Sequence, residues 1–523
     1  MTNITEGHPD FKTLEREIFK IMCHEACEQI RKYLEWRDLA IMALRDTKEY
    51  RCVERRKTTI KTIMGEVTIW RVYYKKRSGG YVFLLDEEMG IDCGCGLFSE
   101  NLVEQIIVEC TDKSFRKAAS DINSFTGQSI SAMGAWGVFQ KFGETVEQQV
   151  ARLKELNDSG STGHVGKVSS PVIFDEYDDV WISRQKETRQ KRSTTAGSPE
   201  KLEEAEKPEE PKEPEMPEVP EKPKESSDKK AKKKLGKKPL HVGIAYTGWA
   251  QAKDGSYGTL DKIAYASFGA VTGFTETFEA LMRQQFDMDG VEHRVTNGDG
   301  EAWIRTTAEN NDSILQLDPY HRSKAIIKAV CDKVDKKLLY SAIKKKDVEK
   351  TLSLICEMAL DAQDEPTQKK LVELYGYFRN NKDIFLTWQE RGIQLPEAPE
   401  GVTYRSMGVQ ESNNYSLITN RMKHRRGSWS ERGGDRMAQI LSFRNTVGLD
   451  AILGTLPEPP TVEAWPEPLS AAKAPQHDGK GYGAEWLYAE MPFEDAFKTN
   501  GREAIRNMLR LKPLSQLPFR KGS

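Results

Sequence analysis

Long hydrophobic runs are missing from this sequence of 523 residues. No stretch approaches the roughly 18 consecutive apolar residues of a membrane-spanning helix, and hydrophobic residues make up only 38% of the chain. The first residues, MTNITEGHPDFKTLEREIF, lack both the basic start and the apolar centre of a secretory signal. We therefore expect a cytoplasmic protein with no membrane partner, long enough for two or more domains.

Cysteine is scarce, with 8 residues in the whole chain. In a cytoplasmic protein these are expected to be reduced thiols. Four of the cysteines could in principle form a zinc site, namely Cys23, Cys27, Cys93 and Cys95. Their spacings along the chain, however, fit no common zinc-ligand pattern. Cys23 and Cys27 lie one helical turn apart on an apolar face, so we expect them in a core.

Charge of one sign is not in excess, since the formal net charge is -2, yet basic residues gather in two stripes. Such stripes suit phosphate backbones, because neutralising phosphates releases counterions. The other interpretation is a solvated charged face. The residues that we expect to contact DNA are Arg55, Arg56 and Lys57 in the first stripe, and Arg421, Lys423, Arg425 and Arg426 in the second.

Large apolar side chains are almost missing from residues 197 to 238, where proline recurs every third residue over part of the length. Such a segment cannot bury a core, which predicts a disordered insertion, acidic first and basic at its end. It interrupts two stretches rich in β-formers, SPVIFDEYDDVWISRQ and HVGIAYTGWAQ. With residues 186 to 238 removed, these stretches become the two strands of a hairpin.

Strands and helices alternate after this insertion. A third strand, KIAYASFGAV, precedes a helix, TGFTETFEALMRQQF, and then come the strands EHRVTNGDG and SILQLD. Apolar spacing predicts a long helical insertion at about 322 to 400. The order is that of a ribonuclease H-like fold, an α/β domain with added helices, in which a three-strand meander leads into parallel strands.

Two aspartates fall at strand ends that this fold places side by side. Asp178 belongs to the first strand, and Asp299 lies between Gly298 and Gly300 after the strand that follows the helix. Adjacent carboxylates repel each other unless a cation lies between them, and their hard oxygens suit Mg²⁺ or Mn²⁺. The glycines are expected to leave room for a phosphate; the other interpretation is a turn that merely ends a strand.

A third acid follows the helical insertion. Glu411, Tyr415, Ile418 and Met422 recur at helical spacing, so Glu411 is predicted to point toward the sheet with the apolar residues. The other interpretation is an acid favoured by the dipole at a helix N-terminus. Trp429, further along, is expected to fill the core or to stack on a flipped base.

These stretches together resemble a known family. DEYDDVWISRQ, HVGIAYTGW, TNGDGEAWI, LDPYH and GVQESNNYSLITNRMKHRRGSWSERGGDRMA are similar, in order and spacing, to the ISLre-type insertion-sequence transposases, a Mutator-like branch of the DDE transposases. RRKTTIKTIMGEVTIWRVYY and YVFLLDEEMGI resemble the leading region of that family. The resemblance covers about residues 5 to 445.

The resemblance implies that Asp178, Asp299 and Glu411 correspond to the DDE triad. Two Mg²⁺ or Mn²⁺ ions held there would activate a water or a 3′-hydroxyl and stabilise the leaving oxygen during attack on a DNA phosphodiester. The family usually has glycine after the first aspartate, whereas Asp179 stands here. Glu176 and Asp179 therefore stay open as the first ligand.

LDPYH resembles the Asp/Cys-x2-His motif of Mutator-like enzymes, which makes Asp318 and His321 an accessory pair. His321 would position or protonate a group near the scissile phosphate, the other interpretation being a structural histidine.

The N-terminal region, residues 1 to 165, is expected to recognise the terminal inverted repeats of the element. Residues 114 to 143 read as a helix-turn-helix, with a helix around 10 to 45 and a small β unit at 60 to 85. The catalytic domain would cover 168 to 445, and a C-terminal extension of unassigned role 446 to 523.

The expected partners are DNA, both the element ends and the target, and at least one further copy of the chain, because paired ends demand a dimer. The expected place is the nucleoid in the cytoplasm. Two rival interpretations stay open: a metal-dependent nuclease of the same fold that cuts without joining, and a non-catalytic DNA-binding protein derived from a transposase.

Overall fold

The computed structural model describes residues 10–91, 97–160, 166–185, 236–424 and 427–449. Nearly all of the predicted charged insertion and C-terminal extension lie outside these ranges. The described structure is mixed α/β, with an N-terminal region of helices and a small sheet, a five-stranded sheet, and a group of helices inserted late in the chain. Among the described helices, none is both long and apolar enough to cross a membrane.

The N-terminal region begins with a long helix packed on a β-hairpin. Helix α1 spans Phe11–Leu44, and Asp10 caps its start by accepting the N–H of Thr13. The strands and helices that follow are β1 (Tyr50–Thr62), β2 (Gly65–Lys76), β3 (Tyr81–Val82), α2 (Leu84–Met89), α3 (Glu100–Asp112), α4 (Phe115–Phe125) and α5 (Ala132–Asp158). The helix predicted around 10 to 45 is confirmed, whereas the β unit begins at Tyr50 rather than at residue 60.

Asp38 fixes α1 to the hairpin. Its carboxylate is fully buried and accepts the N–H of Val72 at 3.0 Å, while Glu35 accepts the N–H of Trp70 at 3.3 Å. Strand β2 pairs with the short β3 only at Tyr74 and Lys75. Asp38 and Glu35 therefore accept backbone N–H groups of β2 that would otherwise have no partner on this side of the hairpin.

The central sheet contains β4 (Val172–Ser183), β5 (Lys237–Tyr246), β8 (Ile263–Ser267), β9 (His293–Gly298) and β10 (Ile314–Leu317). Their order is β10-β9-β4-β5-β8, with β5 antiparallel to both β4 and β8, and with β9 and β10 parallel to β4. The hairpin strands β6 (Gly248–Gln251) and β7 (Tyr257–Leu260) form a separate pair. The five sheet strands follow the predicted order along the chain.

Helices α6 (Val271–Gln285) and α7 (Ala302–Asn310) connect the last three strands. The helices of the insertion are α8 (Pro319–Ala329), α9 (Lys333–Lys344), α10 (Val348–Asp361) and α11 (Glu365–Asn380), and they share a core of their own around Ile326, Ile355 and Phe378. The prediction of helix to residue 400 is wrong beyond Asn380. Residues 381 to 409 contain three glycines and two prolines, which disfavour a continuous helix.

The chain then returns to the sheet through α12 (Gln410–Asn413), a π-helical segment at Asn414–Thr419, and α13 (Asn420–Met422), and the last helix among the described residues is α14 (Glu431–Arg444). Helix α14 packs against both β8 and α5, and buried side chains of α3, α4 and α5 belong to the same hydrophobic core as those of the sheet. The N-terminal helices and the sheet are therefore one packed unit.

The helix pair predicted at 114 to 143 exists as α4 and α5, but α5 is a poor recognition helix. It continues to Asp158 and packs against α3, α4, α6 and α14. Its first turn exposes Met133, with 70% of that residue accessible, whereas Ala135, Val138 and Phe139 are buried. Only a small part of α5 can therefore face a DNA groove.

Candidate active site

Asp178, in the middle of β4, lies level with Asp299, the residue that follows the parallel strand β9. The register between β4 and β9 runs from Val172 opposite His293 to Glu176 opposite Asn297, and Asp178 and Asp299 each stand two residues further along the chain. The expectation that Asp178 ends its strand is wrong, because β4 continues to Ser183 in its pairing with β5. Side chains alternate along a strand, so Asp178 shares its face with Glu176, and Asp179 lies on the other face.

Asp178 is a largely buried carboxylate. Its Oδ1 accepts the N–H of Asp179 at 2.8 Å, and its Oδ2 accepts the side-chain amide of Asn414 at 2.7 Å. Burial raises the pKa of Asp178 to about 6, and the negative charges of Asp299 and Glu411 act in the same direction. Burial also raises the pKa of Asp299. A cation bound between Asp178 and Asp299 would be favoured, because its positive charge would stabilise the ionised form of both carboxylates.

His321 faces Asp178 from helix α8. Asp318 caps that helix by accepting the N–H of Tyr320, and its Oδ2 lies 2.8 Å from Nδ1 of His321. This contact directs Nε2 of His321 to within 3.8 Å of Asp178 Oδ1. Burial lowers the pKa of His321, but the hydrogen bond to Asp318 and the charges of Asp178 and Asp299 outweigh it, so the pKa is raised overall.

The main chain attaches this pair to the second aspartate, because the N–H of Asp318 donates to the carbonyl of Gly298 at 2.8 Å. The structure thus brings Asp318 and His321 to the two aspartates, as the resemblance implies.

Glu411 reaches the same place, but the predicted reason is wrong. The side chain is exposed, as is Tyr415, whereas Gln410, Asn413, Asn414, Leu417 and Ile418 are buried. The wider turn at Asn414–Thr419 changes which residues share a face, so Glu411 does not point into the sheet with Ile418 and Met422. It lies at the rim, where Tyr320 donates to Glu411 Oε1 at 3.3 Å and where its charge acts on Asp178.

Glu176, one of the two open alternatives for the first ligand, is occupied by other contacts. It is fully buried and accepts the hydroxyl of Tyr246 at 2.6 Å and the side-chain amide of Asn297 at 2.9 Å. It also accepts the backbone N–H groups of Gly408, Val409 and Gln410, each at 3.2 Å. These five donors make Glu176 an anchor for the helix that carries Glu411.

Asp179, the other alternative, pairs with a histidine on the opposite face of the sheet. Its Oδ1 lies 2.7 Å from Nδ1 of His241. Asp178 is consequently the acid of this strand that faces His321.

The glycines around Asp299 do not leave room for a phosphate. A Cβ at Gly298 would lie 2.8 Å from Ile304 Cγ2, and a Cβ at Gly300 would lie 2.2 Å from Asn381 Oδ1. Gly300 also has a φ of +90°, which L-residues rarely adopt. The two glycines therefore allow α7 and the helical insertion to pack closely against the strand end, which corrects the expectation.

A cavity of about 530 Å³ opens beside Asp299. Its wall is formed by the start of α7 and the end of α11, with the residues Asp299, Gly300, Glu301, Ala302, Arg305, Tyr377, Asn380 and Asn381. Tyr377 of α11 donates to the backbone carbonyl of Asp299 at 2.7 Å. This contact holds the helical insertion against the end of β9.

The chemistry of the acids fits a hard divalent cation, because the charges of Asp299 and Glu411 both act on the Asp178 carboxylate and no arginine or lysine is among the described contacts of the three. As the side chains stand, no three His, Cys, Asp or Glu residues within the described ranges converge closely enough to hold an ion. Coordination of one ion by all three acids thus requires side-chain rotation.

The second basic stripe is divided between packing and exposure. Arg421 donates to the carbonyl of Cys110 at 2.9 Å and its guanidinium lies over the rings of Phe115 and Trp429. It fastens the segment that follows Glu411 to α3 and α4, in contrast to the expected role on DNA. Lys423 is exposed, and Arg425 and Arg426 lie outside the described residues.

Trp429 is half-buried and its indole donates to the carbonyl of Met422 at 3.0 Å, so it packs rather than stacks on a base.

The first stripe lies on β1, where Arg55, Arg56 and Lys57 are exposed. They do not form one patch, because neighbouring strand residues face opposite sides. Arg55 lies 4.0 Å from Asp38 beneath α1, whereas Arg56 pairs with Glu54 and stacks 3.8 Å from the Tyr73 ring.

The zinc alternative has no support among the described residues. Cys23 and Cys27 are buried on α1, and Cys27 belongs to the core under the hairpin. Cys93 and Cys95 lie outside the described ranges.

Sequence reasoning missed Asn414 altogether and weighed Glu176 only as a metal ligand. Two clues were available. Glu176 and Asp178 are two apart on a strand, hence on one face, and consecutive asparagines in SNNYSL are poor helix formers that call for a specific contact.

This chain is similar to several UPF0236 proteins. A UPF0236 protein in the vanSb 3′ region of Streptococcus gallolyticus is 22% identical over 463 residues, which cover 84% of this chain and 86% of the relative. Two UPF0236 proteins of Caldanaerobacter subterraneus subsp. tengcongensis are 22% and 24% identical over 464 and 457 residues, each covering 85% of this chain and 79% of the relative.

The profile of the uncharacterised protein family UPF0236 matches residues 4–196 and 235–452. It skips residues 197 to 234, which are most of the predicted charged insertion, and it spans both the N-terminal region and the sheet with its acids. The chain therefore belongs to the UPF0236 family.

Proposed function

We propose that this protein is a DDE-type DNA transposase, which binds the ends of its element and catalyses metal-dependent strand cleavage and strand transfer. The observation that carries the proposal is that Asp178, within β4, lies level with Asp299, directly after the parallel strand β9, and that burial raises the pKa of both. Glu411 and His321 approach the same edge from two helices.

The strand order supports a ribonuclease H-like fold for the catalytic domain. Three antiparallel strands, β4, β5 and β8, are followed by two that run parallel to β4 on its other side. This is the topology expected of that fold, and it puts Asp178 of β4 beside the end of β9.

The names of the relatives support a mobile element. One name joins eleven locus designations of Caldanaerobacter subterraneus subsp. tengcongensis, and two others join four and two. A gene carried at many loci of one genome is what repeated transposition would produce. We extend that inference from those relatives to this chain.

In the proposed mechanism Asp178, Asp299 and Glu411 hold Mg²⁺ or Mn²⁺. When bound, two such ions supply Lewis-acid activation of the attacking hydroxyl and stabilisation of the leaving oxygen. The protein itself positions the acids on a rigid strand edge and excludes water from Asp178 through burial. His321, oriented by Asp318, holds a proton at Nε2 beside Asp178, where it can be passed to or from the reacting oxygens.

DNA is the proposed partner of the exposed basic residues. Lys423 follows the acidic edge on the same segment as Glu411, and Lys57 is exposed on β1. Terminal repeats would run between these regions, and a second copy of the chain would hold the other end of the element.

The test is a strand-transfer assay with purified protein, Mn²⁺ or Mg²⁺, and DNA that carries the element ends. Asp299→Asn is expected to abolish joined products, and so is a chelator. Glu292→Gln is the matched control, because Glu292 is an exposed acid just before the opposite end of β9. Cleavage without joining would instead indicate a nuclease, and metal-independent binding alone a DNA-binding protein.

A further inference from the structure

We propose that Asn414 is a positioning residue that sets the orientation of the Asp178 carboxylate for metal binding. This inference rests on the proposed function, because it concerns the same acidic edge. Asn414 is 4% exposed and lies on the π-helical segment, at the point where that segment meets β4.

A chain of hydrogen bonds determines which end of the Asn414 amide faces Asp178. The backbone carbonyl of Val242 can only accept, so Gln410 must turn its Nε2 toward it, at 3.3 Å. The same Nε2 donates to Asn414 Oδ1 at 2.9 Å. Asn414 is left with Nδ2 for Asp178, at 2.7 Å from Oδ2. A fixed backbone group on β5 thus dictates a donor at the carboxylate.

The two oxygens of Asp178 are consequently held from two sides. Oδ2 accepts from Asn414, and Oδ1 accepts the backbone N–H of Asp179 at 2.8 Å. Each oxygen still has a lone pair available to a cation, since a carboxylate oxygen accepts more than one contact. The carboxylate plane is thereby fixed before any ion arrives.

The segment that carries Asn414 is itself anchored to the same strand. Glu176, two residues before Asp178, accepts the N–H groups of Gly408, Val409 and Gln410. The wide turn then lets Asn414 face the sheet while Glu411, three residues earlier, stays at the rim. The same short segment therefore orients Asp178 through the Asn414 amide and also carries Glu411.

Loss of the Asn414 amide is expected to weaken Mn²⁺ binding about 10- to 100-fold, the usual range for residues that orient a metal ligand. The experiment measures Mn²⁺ affinity by calorimetry for the full-length protein with Asn414→Ala and Asn414→Leu. Leucine keeps the branched shape and the number of side-chain heavy atoms of asparagine, so a loss in both variants arises from the missing amide. The kcat of strand transfer is expected to fall while the KM for DNA stays unchanged.

Asn413→Ala is the matched control. Asn413 is the preceding residue, is 6% exposed, and accepts from Lys262 at 2.7 Å instead of contacting Asp178. It should retain the wild-type Mn²⁺ affinity.

If both Asn414 variants, folded by circular dichroism, bind Mn²⁺ as tightly as Asn413→Ala, the positioning role is wrong while the metal site stands. If the wild-type protein binds no more Mn²⁺ than Asp178→Asn, the proposed function fails, and the role of Asn414 fails with it.

Discussion

Two acids on one face of β4, Glu176 and Asp178, show how neighbouring residues with the same chemistry take different roles. Glu176 meets five donors and has no exposed surface, so its oxygens are saturated. Asp178 meets two donors and a histidine, beside two further acids. The hydrogen bonds of Glu176 occupy its oxygens, so this residue anchors the segment that it contacts. Asp178 accepts fewer hydrogen bonds, so its oxygens can still bind a cation.

Asp178→Asn is expected to raise the stability of the metal-free protein at pH 8. Folding raises the pKa of Asp178 from an ordinary value of 3.8 to about 6, so the ionised carboxylate opposes folding. This penalty is absent below the unfolded value, grows between the two values, and is complete above about pH 6, where it amounts to about 3 kcal/mol.

Melting temperatures of both proteins in chelator, followed from pH 8 to pH 5, check this prediction. The advantage of Asp178→Asn should shrink as the pH falls, and Mn²⁺ should stabilise only the wild type. An Asp178→Asn variant that melts below the wild type at pH 8 would show that the carboxylate is already balanced.

At the scale of elements, the segment from residue 408 to 422 has its start fixed by a single side chain. In the wild-type protein both carboxylate oxygens of Glu176 accept backbone N–H groups. Glu176→Gln replaces one of these oxygens by an NH₂ group, which can only donate. We expect at least one of the N–H groups at 408 to 410 to lose its partner.

Hydrogen exchange measures this directly. Peptides that contain residues 408 to 413 should exchange faster in Glu176→Gln, whereas peptides from β10 should be unchanged. Equal protection of the 408 to 413 peptides in both proteins would contradict the anchoring role.

The sheet and its two aspartates were predictable from the sequence, because alternation along β4 and the parallel pairing of β9 follow from local patterns. The face of Glu411 was not, since a π-helical turn depends on contacts such as Asn414 with Asp178, which link residues 236 positions apart. The DNA-contact prediction for Arg421 was wrong for a similar reason. Its contact with the carbonyl of Cys110 joins distant parts of the chain and leaves no sign in the local sequence.

Across the whole molecule, α5 of the N-terminal region and α14, which packs against the central sheet, are joined through Arg436. This residue of α14 is 5% exposed, donates to the carbonyl of Gln140 at 2.6 Å, and pairs with Glu147 at 2.7 Å. Its aliphatic part packs where Gly143 has no side chain, since a Cβ there would lie 2.9 Å away.

Arg436→Met is expected to lower the free energy of unfolding by about 1.5–3 kcal/mol, the range for hydrogen bonds to charged groups. Arg432→Met is the control, since that side chain is 62% exposed and its pairs with Glu144 and Glu147 are long. Urea denaturation followed by tryptophan fluorescence separates the two. Equal effects would mean that Arg436 does not join the regions.

Lys423 and Arg421 are expected to respond differently to truncation. Lys423→Ala should weaken DNA binding for any sequence and reduce the salt slope by about 1, because one phosphate contact is lost. Arg421→Ala should lower the melting temperature instead, because it removes the contacts to Cys110 and Phe115. Binding titrations at several salt concentrations check this, and an unchanged salt slope for Lys423→Ala would remove Lys423 from the DNA surface.

We propose above all that Asp178 and Asp299 bind a divalent cation between them. An anomalous difference map from crystals of the protein with Mn²⁺ and a DNA end tests this proposal. We expect a peak within coordination distance of both carboxylates, and we expect the peak to be lost in Asp299→Asn. Ordered Asp178 and Asp299 side chains with no peak between them would show that the two aspartates do not bind the cation.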